Sequence, residues 1–205
     1  MSRHQSHESR HYRFAVTPLS VDDGRSRQIP RNMAPHPLNY QELPFAPEYF
    51  VYNGRLASDR MSNATDEETY WLVRRQVILR HTGERPIEIR GADAEALLNR
   101  VFTRDIARVK VGRCSYQFAC YHDGGMITDG VLLRLEPDRF WYAQADGDLF
   151  SWFRAQAHGL RVEVSDPGVW VSQVQGPHAL DVLSAVAEDG GPDSFRYFDV
   201  ARARI

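Results

Sequence analysis

Two stretches of this chain share one joint: IEIRGADAEALLNRV at 87–101 and VSQVQGPHALDVLSAV at 171–186. In each, an extended run meets a glycine, Gly91 or Gly176, and the apolar period then changes from two to about 3.6. A strand that turns sharply into a helix needs a joint free of side-chain clash, and glycine allows it. Counted from the two glycines, Ala94 matches Ala179, Leu98 matches Leu183 and Val101 matches Val186. Between the joints, CSYQFACYHDGGMITDGVLLRLEPDRFWYAQA reads as three antiparallel strands, turning at Asp123-Gly124-Gly125 and at Glu136-Pro137-Asp138. Two strand–helix units flanking an antiparallel meander predict an α+β fold, with antiparallel sheets, helices packed on one face and pseudo-repeated strand–helix units.

The remaining segments fit around this frame. EYFVYNGRLA reads as a short hairpin turning at Asn53-Gly54, and DEETYWLVRRQVIL as a helix capped by Thr65 or Asp66. IARVKVGRC has extended character, and DLFSWFRAQAHG is an amphipathic helix with Leu149, Trp152, Phe153 and Gln156 on one face. LRVEVS and VWVSQVQG read as strands, and PHALDVLSAVAE as a helix with Pro177 at its first position. Residues 1–48 carry His, Arg, Ser and Pro with few apolar anchors, which predicts a flexible or wrapping N-terminal arm ahead of a folded domain at 49–205.

A net charge of −2 gives no electrostatic reason to expect nucleic acid or an anionic membrane as partner. No apolar run has the length of a membrane span, and the polar start of the chain does not read as a secretory signal, so the expected location is the cytoplasm. Cys114 and Cys120 lie six apart on one strand, roughly 20 Å from each other and too far for a disulfide. Neither cysteine has partners at metal-ligand spacing, so no metal is expected.

Along MITDGVLLRL the alternation places Ile127, Asp129, Val131, Leu133 and Leu135 on one face, and Met126, Thr128, Gly130, Leu132 and Arg134 on the other. Asp129 therefore points to the more uniformly apolar side, where a carboxylate is costly unless it is paired or used. Backbone donors or an arginine satisfying a buried acid would explain it equally well. Gly130 would let a ligand approach the backbone. Tyr116 sits on the preceding strand, on the face shared by Cys114, Phe118 and Cys120, as ordinary core or as an aromatic wall beside the acid.

The run from Ile87 to Tyr142 resembles the N-terminal folate-binding part of the aminomethyltransferase family. That family includes the glycine-cleavage T-protein and tetrahydrofolate-dependent demethylases. The resemblance is carried by Gly91-Ala92-Asp93-Ala94, Thr103-Arg104-Asp105-Ile106, Lys110-Val111-Gly112, Tyr116, Asp123-Gly124-Gly125 and Asp129. The stretch from Asp138 to Ala179 is closer to the dimethylsulfoniopropionate demethylase branch. The resemblance implies tetrahydrofolate as cofactor, with Asp129 as the active-site acid near N5. It implies that Tyr116 and Val131 line the pterin pocket, with Leu133 as a further pocket residue. The implied activity is tetrahydrofolate-dependent methyl or aminomethyl transfer from a small-molecule donor. The alternative is a non-catalytic folate-binding module completed by a partner chain.

Thr128 stands where T-proteins usually carry the first of two acids, and Leu79-Arg80-His81-Thr82 replaces an acid-containing element, which points toward an anionic donor. Family members are nearly twice as long. The resemblance therefore covers their N-terminal half without the C-terminal part and barrel, and implies an isolated chain that self-associates and binds folate weakly.

Overall fold

The computed structural model describes residues 34–188, 190–191 and 195–205, so residues 1–33 of the expected arm lie outside the described residues. In chain order the elements are β1 (Tyr49–Tyr52), β2 (Arg55–Ser58), α1 (Asp66–Arg75), β3 (Ile78–His81), β4 (Arg85–Arg90), α2 (Ala94–Val101), β5 (Arg113–Cys120), β6 (Met126–Glu136), β7 (Arg139–Gln144), α3 (Leu149–Gln156), β8 (Glu163–Ser165), β9 (Ser172–Gln175) and α4 (Ala179–Val186). Together they form an α+β fold with antiparallel sheets. The chain divides into two compact units, residues 34–83 with Trp170–Pro177 and residues Glu84–Val169 with His178–Ile205.

In the first unit, β1 and β2 form the expected hairpin, with Asn53 and Gly54 both at positive φ. Thr65 caps α1 through a reciprocal pair: its hydroxyl accepts from the Glu68 N–H at 3.2 Å, and the Glu68 carboxylate accepts from the Thr65 N–H at 2.8 Å. The helix stops at Arg75, and the VIL that follows it is not helical as expected. Instead Ile78–His81 forms β3, paired antiparallel with β9 some ninety residues on. Val77 and Ile78 are β-branched, and pairing with a distant strand overrides the local helical pattern. Residues 34–48 form two short 3-10 turns, Asn39–Gln41 and Leu43–Phe45.

This unit buries an unusual polar cluster. The His36 and His81 rings stack at 4.2 Å, Ser172 Oγ lies 2.8 Å from His81 Nδ1, and the Arg55 guanidinium sits 3.9 Å over the Trp170 ring. Burial, then the neighbouring His81 and Arg55, pushes the His36 imidazole down to about 4. Its neutral form is thus the one the fold accommodates. The stability this contributes is fully present above the unfolded value near 6.5 and is lost as the pH falls toward 4. Glu42, whose carboxyl burial raises, works in the opposite sense over the acid part of that range. The two are separated by comparing the parent with His36→Gln. Denaturant unfolding from pH 7 to pH 4 should show the parent losing about 2 kcal/mol more than the variant; parallel curves would exclude the His36 contribution.

In the second unit one five-stranded sheet runs β5-β6-β7-β4-β8, every pairing antiparallel. The hairpins turn at 121–125 and at Pro137-Asp138, as the meander required. Ile87, Ile89, Leu132, Phe140 and Tyr142 point to one face, where Ala94, Leu97, Leu98 and Val101 of α2 and Leu149 and Phe153 of α3 close a core of almost fully buried side chains. The 106–114 segment departs from its extended reading. Ile106–Arg108 is a 3-10 turn that Asp105 caps by accepting from the Ala107 N–H at 3.0 Å, and the turn drops Ile106 into the core. Cys114 and Cys120 are both free, at opposite parts of β5.

The repeat is real in the backbone. Gly91 and Gly176 have φ of +137° and +135°, and each is followed by two turn residues and an eight-residue helix. Arg90 pairs with Glu163, and a Cβ on Gly91 would lie 2.4 Å from the Arg161 carbonyl oxygen. Gln175 pairs with Ile78, and a Cβ on Gly176 would lie 2.2 Å from the Gln76 carbonyl oxygen. Each joint is therefore crossed, in the same register, by the lead-in to the paired strand. The helices differ in their surroundings: the apolar face of α2 is buried, while Leu180, Val182, Leu183 and Val186 of α4 are exposed.

Candidate active site

The sheet face opposite α2 and α3 is half open, and all four residues predicted for the site lie on it. Asp129, Val131 and Leu133 alternate along β6 on this face, and Tyr116 stands on β5. The register sets Phe118 opposite Asp129, Tyr116 opposite Val131 and Cys114 opposite Leu133. The Tyr116 hydroxyl donates to Oδ2 of Asp129 across the diagonal of this pair, and the rings of Tyr116 and Phe118 meet edge to face at 5.5 Å.

Which face of β6 is the core differs from the sequence expectation. The alternation holds from Thr128 to Arg134, but Thr128, Gly130 and Leu132 are the buried ones, and Asp129 lies among half-exposed neighbours. Before Thr128 a register shift pairs Met126 with Cys120, and Ile127 packs against the core instead of sharing the Asp129 face. The apolar count along the strand misleads because the core side uses small and polar residues for specific fits. Thr128 Oγ1 donates to the Asp146 carbonyl oxygen at 3.1 Å. Gly130 makes room for β7, since a Cβ there would sit 2.3 Å from the Ala143 carbonyl oxygen and 3.0 Å from the Tyr142 ring. Gly130 thus serves packing on the core side, and the ligand-approach reading of it falls away.

The structure adds residues that the sequence reading missed. In β7, Ala143 lies opposite Val131 and Trp141 opposite Leu133, so both share the Asp129 face. Trp141 Nε1 donates to Glu88 Oε2 at 2.7 Å, and Arg139 Nε donates to the same oxygen at 2.7 Å. Burial pushes the Glu88 carboxyl up, but the bonds from Trp141 and Arg139 outweigh it and hold the group below its usual range. A carboxylate fixed in this way pins the indole in place. The signal was present in the meander itself, because the turn at Pro137-Asp138 fixes which residues of DRFWYAQ face which side. On the opposite side of the sheet, the Tyr142 phenol is pushed up by burial first, and then by Asp129 and Tyr116. Among the described residues no group of three or more His, Cys, Asp or Glu side chains could hold a metal, and no helix is long and apolar enough to cross a membrane.

The face therefore offers a low floor, Val131 and Ala143, between two aromatic side chains, Tyr116 and Trp141, with the Asp129 carboxylate beside it and the Glu88 carboxylate engaged by Trp141 and Arg139. Such a site suits a flat heteroaromatic ring with hydrogen-bond donors on its edge.

Comparison with known proteins assigns the chain to a family of folate-dependent one-carbon transferases. The chain belongs to the GCVT N-terminal domain family, whose model matches residues 35–205. It is 38% identical over 118 residues to the dimethylsulfoniopropionate demethylase DmdA of Ruegeria pomeroyi, covering 56% of this chain and 32% of that protein. It is 35% identical over 108 residues to the aminomethyltransferase of Moorella thermoacetica, covering 50% and 29%. Among solved structures, the glycine cleavage system aminomethyltransferase T from Bartonella henselae superposes with a TM-score of 0.68 at 20% identity, covering 75% of this chain and 43% of that one. The matched region spans about a third of the two curated relatives. Members of the family use tetrahydrofolate.

Proposed function

We propose that the chain binds a reduced folate on the Asp129 face and serves in methyl or aminomethyl transfer from a small donor to it. The single observation that carries this reading is the Tyr116–Asp129 hydrogen bond on a half-open face that Trp141 shares, in a chain of this family. The residues fit such a ligand: Val131 and Ala143 leave space above the sheet, Tyr116 and Trp141 flank it, and Leu133 extends the apolar surface.

The folate, when bound, supplies the nitrogen that accepts the one-carbon unit. Asp129 orients the ring edge by accepting from its N–H groups. The same carboxylate stabilises positive charge as it develops on the donor, an effect that strengthens where water is excluded. Tyr116 holds the Asp129 carboxyl through one oxygen and leaves the other for ligand. Fixing that side chain before the ligand arrives reduces the ordering cost of binding.

A second reading is a folate-binding module completed by a partner chain. Turnover by the chain alone separates the two. The location is proposed as cytoplasmic, and the donor as a small molecule.

Trp141 provides the test. Titrating tetrahydrofolate should quench tryptophan emission saturably in the parent, and Trp141→Phe should remove most of that quench while the other three tryptophans remain. A quench of equal size in Trp141→Phe would put the ring elsewhere.

A further inference from the structure

A cavity of about 780 Å³ opens at the start of β5, on the outer edge of the sheet. Five cations line it, Arg104, Arg108, Lys110, Arg113 and Arg196, together with Asp105. Among the described residues, two carboxylates pair with them. Asp199 binds Arg113 and lies 3.6 Å from Arg196, and Asp105 lies 3.6 Å from Arg108. Among the described residues, Arg104 and Lys110 enter no ion pair. An excess of three positive charges among the described residues thus gathers in one concavity of a chain whose net charge is −2. The walls are held in place: Arg113 also donates to the Tyr197 carbonyl oxygen at 2.9 Å, and the Cys114 N–H donates to the Phe198 carbonyl oxygen at 2.8 Å.

We infer that this cavity is a binding site for a multiply charged anion. Exposed cations hold a single charge weakly, because water and salt screen each contact. Several charges on one ligand engage several cations at once, and arginine forks match carboxylate and phosphate oxygens two at a time. Two sources carry that chemistry. One is an oligo-γ-glutamyl tail joined to a folate on the neighbouring face. Cys114, which lines the cavity, is two residues from Tyr116 along β5 and on its face, about 7 Å away. This source rests on the folate reading; the other, a free diphosphate group, does not.

The test uses the full chain and Arg104→Gln/Lys110→Gln, both positions being exposed. Inorganic pyrophosphate and penta-γ-glutamate are titrated by calorimetry at low salt. The expected result is binding of either or both to the parent, weakened about tenfold or more in the double variant and falling with added salt. Tetrahydrofolate with one and with five glutamyl groups then identifies the source. A tenfold preference for the longer tail, lost in the variant, assigns the site to the tail. Equal affinities for the two folates, with pyrophosphate still dependent on the two cations, assign it to a free phosphate. If monoglutamyl tetrahydrofolate fails to bind while pyrophosphate keeps that dependence, the folate reading fails and the anion site stands. The inference is overturned if neither anion binds, or if no probe distinguishes the double variant from the parent.

Discussion

Asp129→Asn should lower folate-dependent one-carbon transfer by about 100- to 1,000-fold while the protein stays folded. A loss of that size corresponds to about 3–4 kcal/mol of transition-state stabilisation, the scale of removing one preorganised electrostatic contact. The fold should tolerate the change for reasons visible around the residue. Asp129 lies on the half-open face, its backbone carbonyl still accepts from the Ala145 N–H at 3.0 Å, and the Tyr116 hydroxyl can donate to an amide oxygen as it does to the carboxylate. The check is steady-state turnover alongside an unfolding curve for the same preparation. An unchanged rate would remove Asp129 from the chemistry.

The second large effect is on the other side of the same strand. Gly130→Ala should destabilise the protein by about 3 kcal/mol, because the added methyl would meet the backbone of β7 at Ala143 and Gln144 and the ring of Tyr142. Backbone carbonyls cannot swing aside as the end of a long side chain can, so β6 and β7 must part. Val131→Ala, one residue away and on the half-open face, is the contrast, with an expected cost of about 1 kcal/mol. Urea unfolding midpoints at constant slope measure both. Equal losses at the two positions would contradict the assignment of the two faces.

Much of this architecture was legible because its signals are local. The change of period at Gly91 and Gly176, the two meander turns and the Leu149–Phe153 spacing each report on a few neighbouring residues, and each survives in the fold. The readings that failed depended on partners far along the chain. Ile78–His81 is a strand only because β9 pairs with it, and the 106–108 turn is set by the core position of Ile106. The site shows the same division. Alternation put Asp129, Val131 and Leu133 on one face, and the hairpin brought Tyr116 to it. What alternation could not say was which face the helices cover, since that depends on Thr128 finding Asp146 and on Gly130 making way for β7. Trp141 and Glu88 entered only once the register between β4, β6 and β7 was known.

Binding of reduced folate over β6 is most directly measured by calorimetric titration of tetrahydrofolate into the parent chain and into Val131→Trp, whose indole would fill the space between Tyr116 and Ala143. One saturable site in the parent, weakened tenfold or more by the added bulk with the unfolding midpoint retained, is the predicted result. Absence of binding to the parent, or the same affinity in both proteins, would contradict it.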